Sequence, residues 1–163
     1  MAGIEYQIRC VGLKQAQRLY RQFYAAIRQG RVEAMEAGGK KAVEVIRKRT
    51  TVGKDVNHRG FQKYSKAYAA KKGTQFVDLE LTGQMLNSLS LKAWAKRCRI
   101  FIKGTGELLK KAIVHNCGGR SGRGTGFAMP KREFMGVERE REEVIAPIRK
   151  WWYGFAKKLG FGR

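Results

Sequence analysis

Leu89-Ser90-Leu91-Lys92-Ala93-Trp94-Ala95-Lys96-Arg97-Cys98-Arg99-Ile100-Phe101-Ile102 is the stretch that decides the fold class. Leu89, Leu91, Ala93 and Ala95 alternate with differently facing neighbours, as do Cys98, Ile100 and Ile102. A period of two marks a strand with one buried face. Two such runs meeting near Lys96-Arg97 predict an antiparallel pair. The segments on both sides follow helical spacing instead, so the expected class is α+β: a long N-terminal helix and a C-terminal helix packed on a small antiparallel sheet.

Upstream, Ile4, Tyr6, Ile8 and Cys10 alternate as a strand would. Leu13, Ala16, Tyr20, Phe23 and Ile27, then Val32, Met35, Ala42 and Ile46, recur at helical spacing. Residues 13–49 therefore read as one long helix bent near Gly38-Gly39, or two helices nearly in line, because each glycine weakens a helix by about 1 kcal/mol relative to alanine. Residues 50–62 lack periodicity and read as a flexible loop. Lys63 to Lys72 reads as a short helix, and Thr82 as the N-cap of a turn carrying Leu86 and Leu89. Downstream, Glu107 to Asn116 is helical and Gly118 stops it. Residues 118–128 are glycine-rich and read as a second flexible loop. Phe134, Gly136 and Val137 suggest a last strand. Val144, Ile148, Trp151, Trp152, Phe155 and Leu159 suggest a final helix that kinks or restarts at Pro147. No repeat or second domain is visible, so residues 1–163 form one domain.

Charge is the outlying bulk property. The 163 residues hold 35 Lys and Arg against 13 Asp and Glu, a formal net charge of +22. Self-repulsion of that size points to neutralisation by nucleic acid or an acidic protein. The bases are clustered at residues 47–72 and 92–111 and absent from 73–91. Cys10, Cys98 and Cys117 are far apart and odd in number, so they read as isolated small thiols in a reducing cytoplasm, neither a disulfide framework nor a zinc site. No signal peptide or membrane-spanning run is expected.

No stretch carries a catalytic pattern. The glycine-rich loop lacks the Gly-Lys-Ser/Thr ending of a phosphate-binding loop. His58 and His115 stand at no spacing known for a dyad or metal site, and His115 reads as a helix-end histidine satisfied by backbone. Glu138, Glu140, Glu142 and Glu143 interleave with Arg139 and Arg141 and read as a solvated, ion-paired surface, not a nuclease carboxylate cluster. Adjacent tryptophans on a helix point about 100° apart. Either both Trp151 and Trp152 pack on the core, or one does and the other, with Phe155, makes a subunit contact.

Three short motifs remain: Thr82-Gly83-Gln84-Met85-Leu86-Asn87-Ser88-Leu89, then Ala112 to Gly119 through His115, Asn116, Cys117 and Gly118, then Pro130-Lys131-Arg132-Glu133-Phe134-Met135-Gly136. In this order they resemble the phage virion-morphogenesis (tail-completion) family, with patterns Thr-Gly-x-Leu-x-x-Ser-Leu, Ala-x-x-His-x-x-Gly-Gly and Pro-x-Arg-x-Phe-x-Gly. The stretch Phe61 to Tyr64 with Tyr68 to Lys72 is similar to the family segment before the first motif. The resemblance covers roughly residues 45–150. Met85 beside Leu86, the few acidic residues and the very basic 92–111 region depart from the pattern.

The resemblance implies a structural part of the neck of a tailed phage, without enzymatic activity, metal or cofactor. It implies a homo-oligomeric ring, most often a hexamer, around the DNA channel. Its partners would be head-completion or connector proteins, tail terminator or tube proteins, and phage DNA, with no membrane. It would be assembled in the host cytoplasm and reside at the head–tail junction. The motif residues Thr82, Gly83, Leu86, Leu89, His115, Gly118, Gly119, Pro130, Arg132, Phe134 and Gly136 would form the scaffold. Arg47, Lys48, Arg49, Lys54, Arg59, Arg120 and Arg123 would face DNA or an acidic partner. Edge strands, the glycine-rich loop and the aromatic final helix would join neighbours. The rival expectation is a basic nucleic-acid-binding protein outside any virion, such as a ribosome-associated factor, with binding steeply dependent on salt.

Overall fold

The computed structural model describes residues 12–79, 83–121 and 126–158. The expected strand at 4–10, Thr82, Arg123 and Leu159 lie outside these residues. The spine is helix α1, Leu13–Thr51, which continues unbroken through Gly38-Gly39. At 1.5 Å per residue its 39 residues extend about 58 Å. Helices α2, Lys66–Lys72, and α3, Gln84–Asn87, precede strands β1, Leu89–Trp94, and β2, Arg97–Ile102. These strands form the expected antiparallel hairpin, with Leu91 opposite Ile100 and Leu89 opposite Ile102. Helix α4, Gly106–Cys117, leads into a second hairpin of β3, Gly119–Ser121, and β4, Phe127–Met129, and helix α5, Arg141–Lys158, ends the described chain.

The glycines of α1 do not divide it into two helices; they admit its neighbours. Gly30, Ala34 and Gly38 stand four residues apart and are buried. A Cβ on Gly38 would sit 2.5 Å from Ile148 Cδ1, and one on Gly30 would sit 2.3 Å from the Trp151 ring. Helix α5 thus runs antiparallel along this row. Gly39, turned about 100° from Gly38, faces the first hairpin: its Cβ would sit 2.4 Å from Cys98 Sγ. Two layers therefore meet α1 at adjacent glycines. The opposing demand, helix propensity, is met by tertiary packing.

Beneath the first hairpin, Val43 and Ile46 of α1 join Val77, Leu79, Met85, Leu86, Leu89, Ala112 and Phe134 in the core. Phe134 is fully buried. Four local expectations need correction. Residues 131–137 are irregular and not a strand. The loop expected at 118–128 contains the β3–β4 ladder on either side of residues 122–125. The cap of α3 is Gly83, at φ 69°, a left-handed conformation that suits glycine. Helix α5 also passes through Pro147 without restarting. Pro147 forfeits one helical hydrogen bond, and the contact of α5 with α1 holds the helix through it.

Substitution of the spine glycines should separate packing from propensity. Gly38→Leu should destabilise the fold by about 1–3 kcal/mol through overpacking. Gly154→Ala, with nothing within 4 Å of its added Cβ, should stabilise it by up to about 1 kcal/mol. Urea unfolding of both variants against the parent protein checks the opposite signs.

Candidate functional site

The last two turns of α1 project arginines that fasten the junction of α3 with β1, the irregular Phe134–Gly136 segment and the approach of α5. Arg47 donates from Nε to Leu86 O at 3.0 Å and from Nη2 to Asn87 O and Leu89 O at 3.1 and 3.2 Å. It thereby satisfies carbonyls left over where α3 ends. Two residues on, Arg49 is 5% exposed. Its Nη2 donates to Phe134 O at 2.7 Å and Gly136 O at 2.8 Å, while Nη1 meets Glu140 Oε1 at 2.8 Å. His58 Nε2 reaches the same carboxylate oxygen at 2.8 Å. Arg49 so ties the helix end to the Phe134–Gly136 segment and to the approach of α5. A planar guanidinium supplies the several fixed donors this needs; an ammonium does not.

A second set of contacts holds the same segment from the other side. Asn116 Oδ1, near the end of α4, accepts from Phe134 N at 3.1 Å and Met135 N at 2.9 Å. His115 O accepts from Arg132 N at 2.7 Å. The Arg132 side chain, 2% exposed, donates through Nε and Nη2 to Gln62 O, and its guanidinium lies 5.0 Å from the Tyr64 ring centre. Gly118, at φ 76°, lets α4 stop where an added Cβ would press on Lys131 N at 3.2 Å. Gly136 passes under Val56, whose Cγ1 would be 3.0 Å from a Cβ there. Val56 N donates to Glu133 O.

Burial and the neighbouring Arg132 charge push the His115 imidazole down to about 4. Burial alone raises the Glu140 carboxyl, but its hydrogen bond and charge pairing with Arg49, a backbone hydrogen bond and the His58 contact outweigh that, and the net shift is downward. Burial also lowers the Arg132 guanidinium from its ordinary value.

The scaffold residues Gly83, Leu86, Leu89, His115, Gly118, Gly119, Pro130, Arg132, Phe134 and Gly136 converge on or beside this knot. The residues expected to face DNA or an acidic partner do not stay together. Lys48, Lys54, Arg59 and Arg120 are exposed. Arg49 is buried and Arg47 half-buried against backbone carbonyls, so both turn inward, the first drawn by Glu140 and the carbonyls of the last motif. Glu140, whose side chain is 8% exposed, likewise leaves the solvated acidic surface expected of it. The His115 ring is not satisfied by backbone: its Nδ1 has no hydrogen-bond partner among the described residues. Cys98 is half-buried, as a small thiol should be, but Cys117 is exposed. Trp151 packs on Gly30 and stacks on Phe155 at 4.8 Å, with Trp152 edge-on at 5.3 Å. All three rings are half-buried.

Between the first hairpin and α4 lies an open groove of about 540 Å³, lined by apolar residues including Phe101 and Ile113 and by Lys92 and Arg99. Among the described residues no group of three His, Cys, Asp or Glu could hold a metal ion, and no helix is long and apolar enough to cross a membrane. The chemistry that these polar groups perform is the fixing of backbone.

The model of the phage virion morphogenesis family matches residues 12–151. The chain belongs to this family. No curated protein and no solved structure matches it. Family membership and the three motifs agree on a protein of phage virion assembly, and the match begins one residue before α1 and ends inside α5.

The sequence motifs located the knot but not its fastenings. Arg49, Arg47 and Asn116 act across 85, 40 and 18 residues respectively. A run of basic residues at 47–49 looks the same whether its members point inward or outward. The buried Val45 and Ile46, which bracket Arg49 on the helix surface, distinguish it from Lys48.

Arg49→Met should cost about 3–5 kcal/mol, because it leaves Glu140 without its buried partner; urea unfolding measures it. Stability should also fall with acid in two steps. His115, lowered in the folded state, resists protonation that the unfolded chain accepts, so stability is full above pH 6.5 and declines toward about 4. Glu140, lowered from 4.5, contributes above that value and is lost as pH falls through its folded pKa. His115→Gln should flatten the decline between pH 6.5 and 4.5 and leave the more acidic one.

Proposed function

We propose that the protein is a structural component of the phage neck, which completes the tail or joins it to the DNA-filled head as a ring around the DNA channel. The observation that carries this reading is the family match over most of the chain, together with motifs whose residues fix backbone. The protein works by burial and electrostatics, not by catalysis. Six copies make the ring, following the family resemblance. Each contacts its neighbour side to side, since heterologous contacts are the kind that close into a ring. Trp152 and Phe155, half-buried on the outer part of α5, supply an aromatic contact of the sort enriched at interface centres. Connector or head-completion proteins lie on one side and tail terminator or tube proteins on the other.

The exposed bases Lys48, Lys54 and Arg59 lie at the end of α1 and in the loop after it. That loop is hydrogen-bonded, with Asp55 Oδ1 accepting from the backbone N–H groups of Asn57 and Arg59 at 2.8 Å. It therefore presents its charges on a defined turn, toward channel DNA or an acidic neighbour.

The triple charge reversal Lys48→Glu, Lys54→Glu and Arg59→Glu should leave the fold intact and reduce infectious particles, with filled heads and finished tails accumulating apart or heads losing DNA. Electron microscopy of lysates complemented by the variant reads this. Normal particles at normal titre would contradict the assignment of that face. A nucleic-acid-binding protein acting outside the virion would instead leave joined particles unaffected when its gene is removed.

A further inference from the structure

The N-terminal part of α1 has a largely exposed apolar face with no other described residue packed over it. Tyr20 is 70% exposed, Tyr24 62%, Leu19 59% and Leu13 56%. At 100° per residue, Leu13, Ala16, Tyr20, Phe23 and Tyr24 fall on one side of the helix. It is the side on which Gly30 and Gly38 receive α5, so the packed face of α1 continues outward past its cover. Lys14, Arg18, Arg21 and Arg28 form a basic border along one edge of the stripe only. Leu19 and Ala26 lie along the other edge, and Gln15, Gln22 and Gln29 are on the back of the helix. No acidic residue occurs from Leu13 to Val32.

We propose that residues 13–28 of α1 are a docking arm for a partner protein that offers an apolar groove edged along one side by carboxylates. Phosphate contacts would use the basic border but leave the large exposed apolar stripe in water, so nucleic acid accounts for half of the pattern. A helix laid in a groove buries the stripe and pairs the border at once. Charge argues against a second copy of this chain as host. The groove beside α4 is edged by Lys92 and Arg99 and would repel the arm. The carboxylates nearest the arm on its own molecule are already engaged: Glu33 accepts a hydrogen bond from Gln29, and Glu36 pairs with Lys40, Glu44 and Glu143 with Lys41, and Glu142 with Arg149. Two arms packed on each other would bring no negative charge at all. The host is therefore a different, acidic protein, and given family membership it is another component of the assembling virion.

The test uses the full-length chain in phage production. Tyr24 is replaced by the photo-crosslinking residue p-benzoylphenylalanine, particles and assembly intermediates are irradiated, and adducts are mapped by mass spectrometry. The expected adduct is to another virion protein, at a peptide in which Asp or Glu flanks apolar residues. In the same background, Arg18→Gln with Arg21→Gln should lower the adduct yield about tenfold. Lys110→Gln with Lys111→Gln, the same change in net charge at two exposed lysines of α4 away from the arm, should leave it within about twofold. Thermal unfolding of each variant verifies that the arm variants fold. An adduct to a second copy of this chain, an adduct to DNA, no adduct, or equal loss from the two double variants would overturn the proposal. Because an adduct identifies the host wherever the protein sits in the particle, the outcome is separable from that of the neck reading.

Discussion

A buried guanidinium holds the centre of this molecule. Arg49 carries a charge into a site where only 5% of its surface is exposed, and it does so at the end of the longest helix. Removing such a charge from water costs several kcal/mol before compensation. Compensation comes from Glu140 and from two carbonyls of the segment that runs from Phe134 to Gly136. That segment has no helical or strand hydrogen bonds of its own, so its backbone groups need partners from elsewhere. Arg49 satisfies it from α1 and Asn116 from α4. Between them Phe134 is held at the bottom of the core. Each group satisfies a need that the other creates, and the irregular last motif becomes as fixed as a strand.

The second constraint is distance. Helix α5 and the first hairpin both approach α1 more closely than a side chain would allow, at Gly38 and Gly39 respectively. The cost in helix propensity at those residues is set against dense packing on two faces. This arrangement leaves the C-terminal half of α1 enclosed and the N-terminal half projecting. The described residues thus form a compact block of fastened loops with a helical extension. The basic residues follow the same division. Those near the knot, Arg47, Arg49 and Arg132, serve the fold. Those on the extension, on the loop after α1 and on the first hairpin remain at the surface.

Periodicity made the large elements legible. The first hairpin, α1 and α5 follow patterns repeated over many residues, and each pattern is fixed by which face must be buried. The short and irregular elements were less so. Gly83 in place of Thr82 as a cap, the β3–β4 ladder, and the strandless stretch at Pro130–Val137 depend on contacts from far along the chain. The same holds for the inward turn of Arg47 and Arg49 and the burial of Glu140. Basic character alone suggests a charged surface, whereas the position of each side chain on its helix decides whether the charge serves folding or binding. The three motifs stood out because glycine, proline and arginine are demanding residues. Their demand turned out to be geometric: left-handed turns, close passages and multidentate donors.

Family membership places the protein in phage virion assembly, and the knot of motifs shows how it keeps a fixed shape there. The most direct measurement of the neck reading is a cryo-electron-microscopic reconstruction of the head–tail junction in purified particles, without imposed symmetry. The account predicts density for this fold in a closed ring around the DNA channel, with α1 extensions reaching adjacent proteins. A fully resolved junction from which this chain is absent would contradict it.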